Sequence, residues 1–344
     1  MKVFITGGSG FLGINLVRFL LKKNYQITSF DIVDFDYPEK SKIMALKGDI
    51  RDYQDLKNSM KGAQIIVHCA AALPSYKDQD VYTTDVLGTR NVLKAAKANK
   101  INRVVHISST AVYGIVDKNP SFEGDALVPV GAYGKAKILA EKECEKYRSK
   151  GLLIPILRPK TFIGPERLGI FSLLYDWASS GHGFPVIGNG KNRYQLLDVS
   201  DLCEAIHLAM TLPASNINDV FNIGAKEFTT MAEDYQAVLD RAGYGKKIRC
   251  LPAGPMIFVL RVLDRLHLSP IYRWVYETAS KDSFVNIDKA QKVLGFKPKY
   301  SNIDAIIRNY DWYQTNIDQF RKQTGLSHRA LWKQGIFSLI KLLF

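Results

Sequence analysis

Cysteine is sparse in this chain of 344 residues: Cys69, Cys144, Cys203 and Cys250 lie far apart, with no Cys-x-x-Cys pair. That excludes a disulfide framework and a thiolate metal site, and it fits reduced, incidental thiols in a cytoplasmic protein. Long apolar runs are also missing. No stretch reaches 18 uncharged apolar residues, so no segment is expected to span a bilayer by itself. The chain opens on Met1-Lys2-Val3-Phe4-Ile5-Thr6 without a basic-then-apolar leader, so no secretory signal is expected. His182, His207, His267 and His328 have no metal-ligand spacing, and no metal is expected. Acidic side chains are in deficit, 33 against 47 Lys and Arg, for a formal charge of +14. Residues 240–344 hold 18 of the basic and 8 of the acidic ones, which points to an anionic partner. The aromatic-rich segment Tyr300–Phe320 lacks the paired stripe that base stacking requires, so nucleic acid is not that partner.

What is present reads as an α/β protein. Strand patterns at Lys2–Thr6, Gln26–Phe30, Ile65–Cys69, Arg103–Ile107 and Leu153–Leu157 alternate with helical patterns at Phe11–Lys22, Asp80–Ala98 and Ala132–Arg148. Such alternation implies βαβ units and a doubly wound parallel sheet covered on both faces. Glycine and proline recur after Pro159, which marks a second, smaller and mostly helical lobe. The expected organisation is a dinucleotide-binding domain over 1–165, a substrate lobe over 166–320 and a basic apolar helix over 321–344. Strand-like segments at Tyr194–Val199 and Val220–Ile223 are expected to rejoin the first lobe or its edge.

The sharpest local signal is Thr6-Gly7-Gly8-Ser9-Gly10-Phe11-Leu12-Gly13, between the first strand and the first helix. Gly7, Gly10 and Gly13 give a tight turn, bare backbone for a pyrophosphate, and close helix–strand packing. The helix amino end adds unpaired N–H groups and a positive dipole. Asp31 closes the second strand, where a carboxylate can accept the ribose 2′-hydroxyl and repel a 2′-phosphate. No Arg or Lys follows between Ile32 and Tyr37, so the cofactor is expected to be NAD. Gly48-Asp49-Ile50 suits either the edge of the adenine or a simple turn.

Tyr133-Gly-Lys-Ala-Lys137 puts a phenol and an ammonium on one helix face. The lysine favours the phenolate, and such a tyrosine can exchange a proton with a substrate hydroxyl while hydride moves to a nicotinamide ring. Ser108-Ser109-Thr110 follows a strand and supplies hydroxyls to hold the substrate oxygen.

These residues resemble the extended short-chain dehydrogenase/reductases, in particular the NAD-dependent sugar epimerase/dehydratase branch. The resemblance runs from Met1 to about Tyr313. It also rests on His68-Cys69-Ala70-Ala71, Ser109-Thr110-Ala111-Val112-Tyr113-Gly114, Leu157-Arg158-Pro159, Val199-Ser200-Asp201 and Phe221-Asn222-Ile223-Gly224. It implies a Rossmann-type fold, Ser109 as the catalytic serine, Tyr133 as the acid/base, and Lys137 as the residue that binds the nicotinamide ribose and tunes Tyr133. It further implies that Cys69, Ala70 and Ala71 line the cofactor through their backbone, and that two copies pair through the Asp80–Ala98 and Ala132–Arg148 helices.

The departures from that family pattern bear on the reaction and the substrate. Thr110-Ala111 stands where family dehydratases carry Asp-Glu, which argues against a 4,6-dehydratase. Thr161, preceded by Lys160, stands where nucleotide-sugar enzymes often have Asn, and Arg193-Tyr194-Gln195 replaces an Arg-Asp pair. Asp85 stands where an Asn often precedes Val-x-Gly. Thr110, Lys160, Thr161, Arg167 and Arg193 are the candidate substrate contacts, the three cations as anion binders.

The terminal stretch 329–344 has ten apolar and three basic residues and no acidic one, with Trp332, Lys333, Phe337 and Lys341 placed to suit a helix in the headgroup layer. Docking on the protein itself or on a second subunit is the other reading. Pro255–Leu268 is a second apolar stretch, with Arg261 and Arg265 embedded in it. The expectation is an NAD-dependent epimerase of a nucleotide- or polyprenyl-diphosphate-linked sugar, cytoplasmic or peripheral at the inner face of the membrane. The alternatives are a dehydrogenase of a sterol-like or other alicyclic alcohol, and a dinucleotide-binding scaffold without turnover.

Overall fold

Short apolar runs, rich in Val, Ile and Phe in four of the seven strands of the main sheet, form the strands of the computed structural model, which describes residues 1–115, 118–265, 273–320 and 340–344. In chain order these are β1 (Lys2–Thr6), β2 (Gln26–Asp31), β3 (Met44–Lys47), β4 (Ile65–His68), β5 (Val104–Ile107), β6 (Ile156–Pro159), β7 (Thr161–Ile163), β8 (Phe184–Ile187), β9 (Leu196–Asp198), β10 (Val220–Ile223) and β11 (Ile248–Leu251). The helices are α1 (Phe11–Lys22), α2 (Tyr53–Ser59), α3 (Asp78–Tyr82), α4 (Thr89–Ala98), α5 (Gly131–Arg148), α6 (Phe171–Ser179), α7 (Val199–Thr211), α8 (Ala214–Ile217), α9 (Met231–Ala242), α10 (Ala253–Arg265), α11 (Arg273–Thr278) and α12 (Asn302–Phe320).

The chain divides into two units. The first comprises Met1–Lys160, Val199–Gly224 and Val285–Pro298. Its sheet has seven strands in the order β10-β6-β5-β4-β1-β2-β3, all parallel. β1, β4, β5 and β6 are almost wholly buried, as a sheet covered on both faces requires. One core layer joins Phe4, Phe30 and Ile66 to Val92, Leu93 and Cys144 from α4 and α5. Strand order reverses between β1 and β4, and ligands of such sheets bind at the carboxyl ends of the strands flanking that point.

The second unit comprises Thr161–Asp198, Ala225–Phe284 and Lys299–Phe344. It holds two parallel strand pairs, β7–β9 and β8–β11, and a core of α6, α9 and α12 around Tyr175, Leu239, Ile306 and Tyr310.

Two sequence expectations change, and a third falls largely outside the described residues. The Tyr194–Val199 segment does not rejoin the first sheet: β9 pairs with β7 inside the second unit. The Tyr194–Thr161 hydroxyl bond (2.7 Å) and the Leu196 N–H to Asn302 Oδ1 bond (2.8 Å) hold it there. The helix over Asp80–Ala98 is broken by a π-helical turn at Thr83–Gly88. A Cβ on Gly88 would stand 2.5 Å from Ile50 Cδ1, so the turn sits tight against Ile50. Of the terminal helix over 321–344, residues 321–339 lie outside the described set. The last five dock on the second unit. Lys341 Nζ meets Asp176 Oδ2 at 2.5 Å, and the Phe344 ring lies 5.9 Å from that of Trp177. Leu342 and Leu343 are exposed. Among the described residues no helix is long and apolar enough to cross a membrane.

Candidate active site

The glycine loop turns directly off β1 because Gly7 and Gly13 leave no room for a side chain against backbone, and a Cβ on Gly8 would meet the Ser29 side chain at 2.1 Å. Gly7 has φ +73°, and a Cβ there would stand 2.7 Å from Ala70 N, at the end of β4. A Cβ on Gly13 would stand 2.2 Å from Gly7 O, so α1 can close on the loop only with glycine there. Gly10 is less confined: the nearest neighbour of a Cβ there would be Gly7 O at 3.3 Å, a tight contact that a small shift can relieve. α1 has no side-chain cap at Gly10, and its amino end offers the positive end of the helix dipole to phosphate oxygens. Phe11 and Leu12, at that end, bury their side chains in the core.

Asp31 ties this loop to the end of β2. One carboxylate oxygen accepts the Ser9 N–H and the other the Val33 N–H, both at 3.0 Å. Ser9 in turn donates its hydroxyl to Val33 O, and Tyr37 donates to Ser9 O. Burial raises the Asp31 carboxyl above its ordinary value, against the pull of those N–H groups. Each oxygen keeps acceptor capacity for a ribose hydroxyl. The nearby Lys47 ammonium is taken up by Asp34 at 2.9 Å. Asp49 is bound by the Arg51 guanidinium at 2.6 Å and accepts the Arg51 N–H, which makes its carboxylate a turn-former, while Ile50 is buried. Cys69 N donates to Thr6 O and Ala70 N to Thr6 Oγ1, which seats the Cys69-Ala70-Ala71 backbone beside the loop.

The hydroxyl residues after β5 separate in role. Ser108 is buried and donates to Glu141, whose carboxylate also holds Arg158 at 2.6 Å. Tyr113 and Asn222 complete that network, so Ser108 is structural. Ser109 instead accepts the Ala111 N–H at the start of a tight turn over Thr110–Tyr113 and keeps its own O–H to donate. Thr110 is half-buried beside it. A Cβ on Gly134 would stand 2.8 Å from Ala111 O, so the glycine of the Tyr133–Lys137 motif lets α5 close on that turn. In the sequence, the one signal of this role for Gly134 is its place between Tyr133 and Lys137.

Tyr133 is half-buried in the first turn of α5, packed against Ala72, Val81, Val86 and Ala136. Lys137 is 3% exposed, with Nζ 5.6 Å from the centre of the Tyr133 ring and 3.4 Å from Ile107 O. Asp85, 1% exposed, stands 3.5 Å from that nitrogen. Burial pushes the Lys137 ammonium down, and Asp85 and Tyr133 more than offset it, so the group sits above its ordinary value and stays charged.

The expected substrate contacts are divided. Lys160, in the first unit, is buried, and burial pushes its ammonium down to about 7. Thr110 is also in the first unit, and Thr161, Arg167 and Arg193 are in the second. Thr161 bonds to Tyr194; Arg167 is buried; Arg193 is exposed, its guanidinium 4.7 and 5.0 Å from the ring centres of Phe228 and Phe284. Among the described residues no cluster of His, Cys, Asp and Glu could hold a metal ion.

Comparison with known proteins agrees with this geometry. The NAD dependent epimerase/dehydratase family matches residues 3–224. An uncharacterized protein (y4nG) of Sinorhizobium fredii is 34% identical over 342 residues, 98% of this chain and 84% of that one. The human sterol-4-alpha-carboxylate 3-dehydrogenase, decarboxylating, is 31% identical over 231 residues, 65% of this chain and 60% of its own. Among solved structures, the UDP-glucose 4-epimerase of Thermotoga maritima with UDP-glucose has a TM-score of 0.77 at 21% identity, covering 92% of this chain and all of that one. The Bordetella bronchiseptica enzyme WbmG with NAD and UDP has a TM-score of 0.75 at 21% identity, covering 96% and 97%.

Proposed function

The chain belongs to the NAD dependent epimerase/dehydratase family, whose cofactor is NAD, and on that premise we propose that it epimerises a nucleotide-linked sugar through a transient keto-sugar. The observation that carries this reading is the turn Ser109–Tyr113. It presents hydroxyls, with Thr110 and Ala111 where an acid pair would drive loss of water. Bound NAD would accept a hydride from the sugar and return it. The Gly7–Gly13 loop holds the pyrophosphate and Asp31 the adenosine ribose. Ser109 donates to the reacting oxygen, Tyr133 takes its proton and later restores it, and Lys137 keeps its charge beside the phenol. Lys160 in the first unit, and Arg167 and Arg193 in the second, are each proposed as an anion binder, and a homodimer is proposed through α4 and α5.

A second reading is a dehydrogenase of an alicyclic alcohol. It is favoured by the likeness to the sterol dehydrogenase and by the exposed apolar side chains Phe258, Val259 and Val262 on α10. The purified protein should be denatured and its supernatant assayed for NAD. Near-stoichiometric NAD supports a retained cofactor and epimerisation; an empty protein favours the dehydrogenase. UDP-sugars and polyprenyl-diphosphate sugars are then screened by NMR in deuterated water. A new stereoisomer without solvent deuterium at the inverted carbon is expected, because the hydride never leaves the site. Incorporated deuterium with loss of water would identify a dehydratase. Tyr133→Phe should lower turnover by at least 10²-fold. Full activity in that variant would remove Tyr133 from the mechanism.

A further inference from the structure

The π-helical turn at Thr83–Gly88 carries Asp85 into the core, and the carboxylate is held from two sides. Oδ1 accepts the Ala72 N–H at 2.7 Å; Oδ2 faces Lys137 Nζ at 3.5 Å. The Asp85 backbone carbonyl accepts the Thr89 hydroxyl at 2.6 Å, so the residue is fixed along its length. An extra residue in a helical turn of this kind re-aims a side chain, and here it aims a carboxylate at the lysine beside the proton-transfer tyrosine.

The other groups around the pair are accounted for. Tyr133 and Glu141 face Lys137 from its own helix. Glu141 is already bound to Arg158. His68 and Cys69 lie toward it from the end of β4, and His106 from β5. Both histidines are driven toward the neutral form by burial, and Cys69 toward the thiol, so none supplies a countercharge. Asp85 is therefore the carboxylate matched to this ammonium. Burial raises its own carboxyl, and Lys137 opposes that rise.

An ammonium alone beside Tyr133 would act on the phenol with the whole field of one charge. An ammonium with a carboxylate at 3.5 Å acts as a dipole, and its effect on the phenol is smaller. We propose that Asp85 is a positioning residue that pins Lys137 next to Tyr133 and offsets its charge, so that Tyr133 keeps its proton to higher pH than it would beside an unpaired lysine. The proposal rests on the assignment of Tyr133 as the proton-transfer group, and it goes further in placing control of the working pH on a residue that does not touch substrate.

The test needs no substrate. Tyrosinate absorbance is titrated in the wild type and in Asp85→Asn, each corrected by the same protein carrying Tyr133→Phe, which isolates the Tyr133 signal from the other 16 tyrosines. With the countercharge gone, the Tyr133–Lys137 pair gives up its first proton earlier, and the midpoint is expected to fall by about one pH unit or more. An unchanged or higher midpoint overturns the proposal. Should Asp85→Asn fail to fold, Lys137→Met and the double variant Lys137→Met/Asp85→Asn decide the matter. Lys137→Met leaves a buried carboxylate alone, so adding Asp85→Asn is expected to raise its melting temperature; losses that simply add would show no pairing and overturn the proposal. Neither readout depends on turnover, so a protein that epimerises no sugar still answers this question, and an active epimerase can still fail it.

Discussion

Asp31 and Ser9 are joined across 22 residues by a 3.0 Å bond from the Ser9 N–H to Asp31 Oδ2, and this contact helps to set where the glycine loop stands relative to the ribose position. Asp31→Ala removes both the strap and the proposed acceptor of the ribose hydroxyl. A hydrogen bond to a charged group contributes about 1.5–3 kcal/mol, so NAD affinity should fall roughly 10- to 100-fold. NADP affinity should fall less, because repulsion of the 2′-phosphate is lost together with the strap. Titration calorimetry with both dinucleotides measures the pair; equal losses would show that Asp31 acts on the loop alone.

Gly13 and Gly10 should separate the fold from the cofactor. Gly13→Ala drives a Cβ to 2.2 Å from the Gly7 carbonyl, which must move, so both the melting temperature and NAD binding are expected to drop. Gly10→Ala meets its nearest neighbour at 3.3 Å and should melt close to the wild type while NAD binding weakens, because the new methyl occupies the phosphate's approach. Melting curves with and without NAD read both effects.

Gly134→Ala is expected to damage turnover more than stability. Its Cβ would lie 2.8 Å from Ala111 O, which forces α5 and its Tyr133 away from the Ser109 turn. Misplacement of about 1 Å can cost about 10²-fold in rate, whereas the fold should lose no more than about 1–3 kcal/mol. Denaturant melts beside kcat on the substrate identified above distinguish the two.

The fold should be acid-labile through its buried histidines. His68 is set between the Thr6 and Thr89 hydroxyls at 2.7 and 2.9 Å, and burial, with Lys137 beside it, lowers its pKa to about 3. The unfolded chain binds that proton near pH 6.5, so stability is full above 6.5 and is lost as pH falls from 6.5 toward 3. At pH 5 the loss from His68 amounts to about 2 kcal/mol. His106 shifts in the same direction, and among the described residues neither of its ring nitrogens has a hydrogen-bond partner. His106→Phe should therefore flatten the fall in melting temperature between pH 7.5 and pH 5. A slope identical to that of the wild type would show that His106 takes no part.

The parts of this molecule governed by neighbours in sequence were the legible ones. The limits of β1 and α1 follow from a strand pattern running into glycines and an apolar helical face, and the structure has them at Lys2–Thr6 and Phe11–Lys22. The Tyr133–Lys137 spacing likewise reports a shared helix face. Contacts between distant residues were not legible. Ser108 and Ser109 look equivalent in a row of hydroxyls, and only Glu141, 33 residues on, makes one structural and leaves the other its O–H. Tyr194–Val199 has a sound strand pattern, yet its partner is chosen by Thr161 and Asn302. Asp85 was visible as a departure from a family pattern, while its pairing with Lys137 depends on a local extra residue that no periodicity announces.

The return of Val285–Pro298 to the first unit governs the order in which the protein can be completed during synthesis. Val285 and Ile287 pack against Val112 and Tyr113, and Asn286 N donates to Ser121 O at 2.9 Å. β10 must likewise arrive to cover the edge of β6. A ribosome that has released residue 224 has therefore finished the sheet but not the unit, and much of the second unit must emerge before the first is closed. Until then Val112 and Tyr113 lack part of their cover, and the nascent chain exposes apolar surface of the kind that chaperones hold. Residues 1–224 expressed alone would keep the cofactor loop but meet the same exposure permanently, and should aggregate where the full chain does not.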